Sequence, residues 1–312
     1  MKPSRCSISV VVPLYNKGRS VRAAIHAALG QSAWDFELIV VDDGSTDDGA
    51  LQVQSIADSR LRVISQQNAG VSAARNAGIL AARGEWIALL DADDLWERNH
   101  LEGLARETGG ADTIAVFSNQ HRQSLSGRLA IGADTPAGRI DNYFAFALSH
   151  GGYPLGTSAI MIRRRALIAE GLFAVGEPMG EDIDMWCRLC CRGPFIYNGL
   201  ASSTYNDAPA PDSVARNLTL KAFFPPFAKS LPAMIDRGDV PTHLRQSAKR
   251  YANFLMLEYA RQLLDRGRRL EARRVLIRHC SALLDPLRFA KRLARTWPVG
   301  QTLFRALRNG AA

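Results

Sequence analysis

Apolar and polar positions fall into two textures along the chain. In the first hundred residues, short β-branched or aliphatic runs are each followed by a stretch in which apolar residues recur every three or four positions. Ser7 to Val12 is such a run, closed by Pro13, and predicts a buried strand. Arg19 to Leu29 carries Val21, Ile25, Ala28 and Leu29 at helical spacing. A second strand is expected over Phe36 to Val41, a helix from about Asp47, a strand over Leu61 to Ser65, a helix of small residues over Gly70 to Ala82, and a strand from Glu85 to Leu90 that stops at Asp91. Strands that are apolar throughout and alternate with helices predict an α/β fold: a Rossmann-like, mostly parallel sheet with helices on both faces. In such sheets, ligands bind beyond the carboxyl ends of the strands.

The pattern is less regular over 110–210, where short strands near Thr113–Asn119 and Thr157–Ile162 and a helix from around Glu181 are expected. From about Ser213 long helical patterns take over, with Tyr251, Phe254, Leu255 and Leu263 in phase and Pro225, Pro226, Pro241, Pro286 and Pro298 as punctuation. Ala208-Pro209-Ala210-Pro211-Asp212 reads as a linker, which divides the chain into 1–210 and a helical C-terminal extension, 211–312.

Composition narrows the class. With 47% apolar and 22% charged residues among 312, the chain can bury a core, which excludes disordered and collagen-like readings. No apolar run approaches the roughly 18 residues of a membrane span. The polar start, Met1-Lys2-Pro3-Ser4-Arg5, does not read as a signal peptide, and five cysteines do not make a disulfide framework. Together these point to the cytoplasm. The net charge of +9 is unevenly placed: residues 213–312 carry 20 Lys/Arg against 6 Asp/Glu, whereas residues 1–212 carry 19 against 24. An anionic partner would therefore dock at the rear.

The chemistry-bearing residues sit at the expected strand ends. Asp91-Ala92-Asp93-Asp94 places three carboxylates within four residues; they repel one another unless a cation or donors lie among them, and hard oxygen ligands suit Mg²⁺ or Mn²⁺ shared with substrate phosphates. The alternative is a helix start opened by Leu95-Trp96. Asp42-Asp43-Gly44-Ser45 offers either a carboxylate for the edge of a nucleobase or a capped turn. In Pro13-Leu14-Tyr15-Asn16, Tyr15 could stack on a base, although any strand-to-helix loop reads similarly. Arg75, inside the small-residue helix, suits a partner such as Asp43 or a phosphate, or is a plain surface arginine. Gly180-Glu181-Asp182 is good helix-start chemistry; read functionally, Asp182 is a general base kept ionised by the helix N-terminus. Cys187, Cys190 and Cys191 lack the companion ligands of a zinc or redox site and read as packing. The absence of G-x-G-x-x-G argues against a dinucleotide site.

In this order, Val10 to Asn16, Val40 to Ser45, Asn68-Ala69-Gly70 through Arg75-Asn76-Ala77-Gly78, Asp91 to Asp94, and Gly180-Glu181-Asp182 to Trp186 and Arg188 resemble the family 2 glycosyltransferases, inverting enzymes of the GT-A fold. The resemblance covers about residues 6–205. It implies a nucleoside-diphosphate sugar donor bound by Pro13, Tyr15, Asn16, Asp42, Asp43, Arg75, Asp91 and Ala92, with Asp43 on uracil. It further implies a divalent ion at Asp93 and Asp94, and Asp182, with Glu181 beside it, as the catalytic base. The later Gln-x-x-Arg-Trp signature of processive members is not found, which implies one sugar per binding event to a glycan or lipid-linked acceptor.

At the rear, Arg288, Lys291, Arg292 and Arg295 are expected on one helical face and Phe289, Leu293 and Trp297 on another, with Leu303, Phe304 and Leu307 beside Arg305 and Arg308 further on. This pattern suits contact with an anionic membrane surface, peripheral on the inner face of the cytoplasmic membrane; a helical cap packed on the front domain is the alternative. Two rival functions remain: a nucleic-acid binder, opposed by the acidic clusters and the lack of a recognisable module, and a catalytically silent nucleotide-sugar binder or scaffold of the same fold.

Overall fold

In the computed structural model, residues 8–33, 35–122, 132, 134–206 and 223–297 are described. The front half builds as the pattern predicts: β1 (Ile8–Leu14), α1 (Val21–Leu29), β2 (Phe36–Asp42), α2 (Gly49–Gln54), β3 (Leu61–Ser65), α3 (Val71–Ala81) and β4 (Trp86–Leu89). The four strands are parallel, in the order β3-β2-β1-β4.

β1 runs through Pro13 instead of ending before it. Pro13 lies opposite Val41 of β2, but the amide of Leu90 bonds to Val11 O and that of Asp43 to Leu14 O, so odd-numbered residues of β1 address the β4 side. Because β4 pairs only as far as Val11, the donor that proline lacks would have had no ladder partner.

The chain continues through β5 (Leu95–Trp96), α4 (His100–Ala105), β6 (Ala115–Arg122), β7 (Gly138–Ile140), α5 (Tyr143–Ser149), β8 (Ile160–Arg163), α6 (Arg164–Ala169), α7 (Glu181–Leu189) and β9 (Phe195–Tyr205). The full sheet has the order β3-β2-β1-β4-β8-β6-β9-β5, with β7 also on β9. β5, β7 and β8 run against the other six strands, so the sheet is mixed but predominantly one-directional. Leu95-Trp96, read as a helix start, forms an edge strand on β9 instead.

Alternation within the strands explains their apolar sequences. Val11, Ile39, Val41, Ile87 and Leu89 face one core, and Val10, Val12, Leu38, Val40 and Ala88 face the other, so the apolar positions of both faces of the central strands are buried. On the first face α3 packs unusually close: a Cβ on Gly78 would come within 2.4 Å of Val11 Cγ1.

The linker expected at 208–212 lies outside the described residues. Beyond it come α8 (Pro226–Asp236), α9 (Arg245–Asp265), α10 (Arg269–His279) and α11 (Pro286–Ala294). Phe227, Leu231, Met234, Ala248, Tyr251 and Leu255 join the same core as α3, α5 and α7; α10 and α11 close a smaller cluster on α9 through Leu257, Ala260, Leu276, Phe289 and Leu293. The cations in and just after α11 do not all face solvent. Arg292 is buried on Glu258 of α9, Arg295 bonds Asp265 at 2.7 Å, and the Arg288 guanidinium lies 5.1 Å from the centre of the Phe254 ring. Acids on α9, 34 and 30 residues earlier, draw Arg292 and Arg295 inward, while Arg288 and Lys291 stay exposed. Leu303, Phe304, Arg305, Leu307 and Arg308 lie outside the described residues.

Candidate active site

The loop at the carboxyl end of β4 meets α3 and the head of α7 at a cavity of about 350 Å³. Its lining includes Arg75, Asp91, Asp94, Glu181, Asp182 and Tyr251.

The β1 and β2 ends lock each other. Asn16 adopts a left-handed backbone (φ 52°), its amide N–H donates to Ser45 Oγ, and its Oδ1 accepts the Thr46 amide at 2.8 Å. Asp42 accepts the Ser45 amide at 2.9 Å, which is the capped-turn reading. Asp43 is buried and accepts from Gln66 Nε2 (2.7 Å), Ala69 N (2.9 Å) and Gly70 N (2.8 Å). Of the four lone-pair positions of a carboxylate, one remains. Tyr15 is 38% exposed, a ring free to receive a planar partner. Pro13 is half-buried between these loops.

Arg75 does not pair with Asp43. It is buried, and its Nη1 donates to Glu181 Oε1 at 2.8 Å and its Nη2 to Asp91 Oδ1 at 2.9 Å, while the guanidinium lies 5.4 Å from the Phe173 ring centre. A helix after β3 thus ties the strand-end acid to the head of α7, and the two charges hold the guanidinium protonated against burial. Glu181 is accordingly fixed as a partner of Arg75.

The acidic triplet divides its roles. Asp91 faces the cavity, with its amide donating to Ser158 Oγ at 3.0 Å. The side chain of Ala92 is buried in the core, so only its backbone is left for a ligand. Asp93 carries the ammonium of Lys17. Asp94 is buried, accepting Ser158 Oγ at 2.5 Å and the Asn206 amide at 2.9 Å. Burial, with the charges of Asp91 and Asp93, pushes its carboxyl up to about 8. Asp94 is expected beside Asp93 at a metal; in the fold each of its oxygens already accepts one hydrogen bond, and burial favours its neutral form.

Asp182 lies on the cavity wall, its Oδ1 accepting the Ile183 amide at 2.7 Å. Burial and the neighbouring Glu181 raise its carboxyl to about 7 despite the opposing Arg75. It is therefore not held fully ionised by the helix N-terminus, as expected; it sits near neutrality, where a general base is most effective. Gly180, with φ 84°, makes the left-handed turn that starts α7 here.

The donor set suits a shared cation. Among the described residues no group of three or more His, Cys, Asp or Glu side chains is gathered for a metal. Asp93 and Asp91 instead remain partly exposed, and an ammonium already rests on Asp93. That is the arrangement for Mg²⁺ or Mn²⁺ held by one or two carboxylates together with substrate phosphate oxygens.

Sequence reasoning overlooked Lys17, Ser158 and the tyrosines 143, 153, 205 and 251 of the cavity wall. Lys17 was legible as a cation directly after a strand-end motif; the tyrosines come from four distant segments and carry no local signal. Cys187 on α7 and Cys190 and Cys191 just after it are buried, and burial raises the thiols of Cys187 and Cys190, consistent with packing.

Acids at parallel strand ends and an acid at the head of a later helix stand together on a sheet of the GT-A type. The chain belongs to glycosyl transferase family 2, whose model matches residues 9–170. It is 38% identical over 122 residues to glycosyltransferase GlyG of Streptococcus pneumoniae, covering 38% of this chain and 40% of that one. It is also 38% identical over 96 residues to the Escherichia coli UDP-Glc:alpha-D-GlcNAc-diphosphoundecaprenol beta-1,3-glucosyltransferase WfgD, covering 30% and 38%. The matched stretch thus spans well under half of either relative. In overall fold the chain is similar to residues 1–349 of S. aureus TarS, solved with UDP-GlcNAc, with a TM-score of 0.71 at 16% identity over 97% of this chain and 92% of that one.

Proposed function

We propose that this chain moves a sugar from a nucleoside-diphosphate sugar, in the first place a UDP-sugar, to a hydroxyl of a glycan or lipid-linked acceptor in cell-surface polysaccharide synthesis, inverting the anomeric carbon and adding one sugar per binding event. The observation that carries this reading is the shared arginine: Arg75 holds Asp91 on the donor side and Glu181 at the head of α7, so that Asp182 faces the same cavity. Asp182 takes the proton of the attacking hydroxyl as that oxygen closes on the anomeric carbon from the face opposite the diphosphate. Arg75 and Glu181 hold the carboxyl in position. Tyr15 and the remaining lone pair of Asp43 are offered to the base, with Pro13, Asn16 and Asp42 shaping that pocket. The backbone at Ala92 and the carboxylate of Asp91 face the ribose. Mg²⁺ or Mn²⁺, bound at Asp93 with Asp91, would neutralise charge developing on the leaving diphosphate.

The test is turnover of UDP-, GDP- and dTDP-sugars by the wild-type chain and Asp182→Asn. Retained donor binding with transfer reduced about 10²–10⁴-fold is expected; unchanged turnover removes Asp182 from this role.

Contact with an anionic membrane is the outermost part of the reading. No helix among the described residues is long and apolar enough to cross a membrane. Peripheral contact is supported by exposed Leu283, Leu287 and Trp297 in the same segment as the exposed Lys291. Equal flotation with anionic liposomes after Leu283, Leu287 and Trp297 are replaced by Ser would refute it.

A further inference from the structure

We propose that Lys17 is a resident cation that occupies Asp93 until a donor arrives, so that a divalent ion gains Asp93 only together with a nucleoside diphosphate. The proposal rests on the nucleotide-sugar reading and deepens it. Three observations carry it. The Lys17 ammonium is ion-paired with Asp93 Oδ2, the carboxylate of the triplet that neither Arg75 nor Ser158 engages. Its backbone is pinned: Asn16 before it is tied to the β2 loop, and the carbonyl of Lys17 accepts the amides of Ser20 and Val21 at the head of α1. The side chains, by contrast, are 24% and 29% exposed, so the ammonium swings on a long aliphatic stem without disturbing the core.

A partly exposed ion pair of this kind is weak, and a compact ammonium readily exchanges one anion for a better one. A diphosphate brings several negative charges to the same strand ends. Lys17 then pairs with the diphosphate, Asp93 is released, and the divalent ion binds between the two. Arg75 cannot play this part, being buried between two acids. Metal and nucleotide affinities are coupled in consequence, and the coupling is reciprocal.

The experiment is a Mn²⁺ titration of the full chain, followed by the EPR signal of free Mn²⁺, with and without UDP, for the wild type, Lys17→Met, Lys17→Arg and Asp93→Asn. Lys17→Met is expected to bind Mn²⁺ alone about five- to tenfold more tightly than the wild type, having lost one competing charge, and to show a smaller gain on adding UDP. Lys17→Arg should stay near wild type and Asp93→Asn should lose the Mn²⁺ gain. Equal Mn²⁺ affinity of wild type and Lys17→Met without UDP, including no binding in either, overturns the proposal, as does weaker binding by Lys17→Met. Failure of the wild type to bind UDP at all would instead strike the nucleotide reading, so the two failures are separate. An unchanged melting temperature confirms that the variants are folded.

Discussion

β1 has an acidic strand end on either side of it, and the two do different work. After β2, Asp42 and Asp43 spend their oxygens on amides of residues 45, 69 and 70 and on Gln66, so the carboxylates knit loops together. After β4, Asp91 faces the cavity and Asp93 stays partly exposed, each with a cation beside it, and Asp94 is buried as a raised carboxyl on Ser158. In sequence both are pairs or triplets of Asp following an apolar run. What separates scaffold from chemistry is the supply of donors: where backbone amides converge, the charge is absorbed, and where they do not, it remains for arginine, lysine and ligand.

The contrast is open to attack. The largest effect is expected at the cavity, where Asp182→Asn should lower transfer by about 10²–10⁴ while stability stays near wild type; a large loss of stability with little loss of rate would make Asp182 part of the scaffold. Next, Arg75→Met strands Asp91 and Glu181, and about 3–5 kcal/mol of unfolding free energy should be lost in denaturant titrations. In the surviving enzyme the acid limb of the pH–rate profile, near 7 in the wild type, should move upward, since Arg75 favours the ionised form of Asp182. Asp43→Ala, by leaving three donors without an acceptor, should cost about 2–3 kcal/mol of stability with turnover at saturating donor preserved. Were UDP affinity to collapse with stability intact, Asp43 would serve the base alone and not the loops, and the contrast would fail. The smallest change is expected for Asp94→Asn. Because the Asp94 carboxyl stands at about 8 in the fold against 3.8 for an ordinary aspartate, the folded chain keeps a proton that the unfolded chain loses between those limits. This group's contribution to stability therefore falls as pH rises from about 4 to 8. Removing it should flatten the decline in melting temperature between pH 5 and 8.

Much of the front half was legible because its signals are local. Val10-Val11-Val12 and Leu38-Ile39-Val40-Val41 alternate between two cores, Leu61–Ser65 forms a strand over that span, and Gly78 marks the helix that must approach β1 closely. The extent of β1 was misjudged because a proline normally ends a ladder, and only the short reach of β4 makes it harmless. The C-terminal helices were legible as helices, but the facing of α11 was not: a helical wheel counts charges on one element, and Glu258 and Asp265 belong to another.

The sequence by itself determined that strands alternate with helices, that carboxylates stand at the carboxyl ends of β2 and β4, and that a helix opens with Glu181-Asp182. Each of these follows from periodicity or spacing within some ten residues. Only the tertiary structure decided which acid meets which cation, since Arg75 and Glu181 are 106 positions apart and Lys17 and Asp93 are 76 apart. It alone raised Asp182 to about 7, because the cost of charge depends on what surrounds a carboxyl once the chain has closed over it.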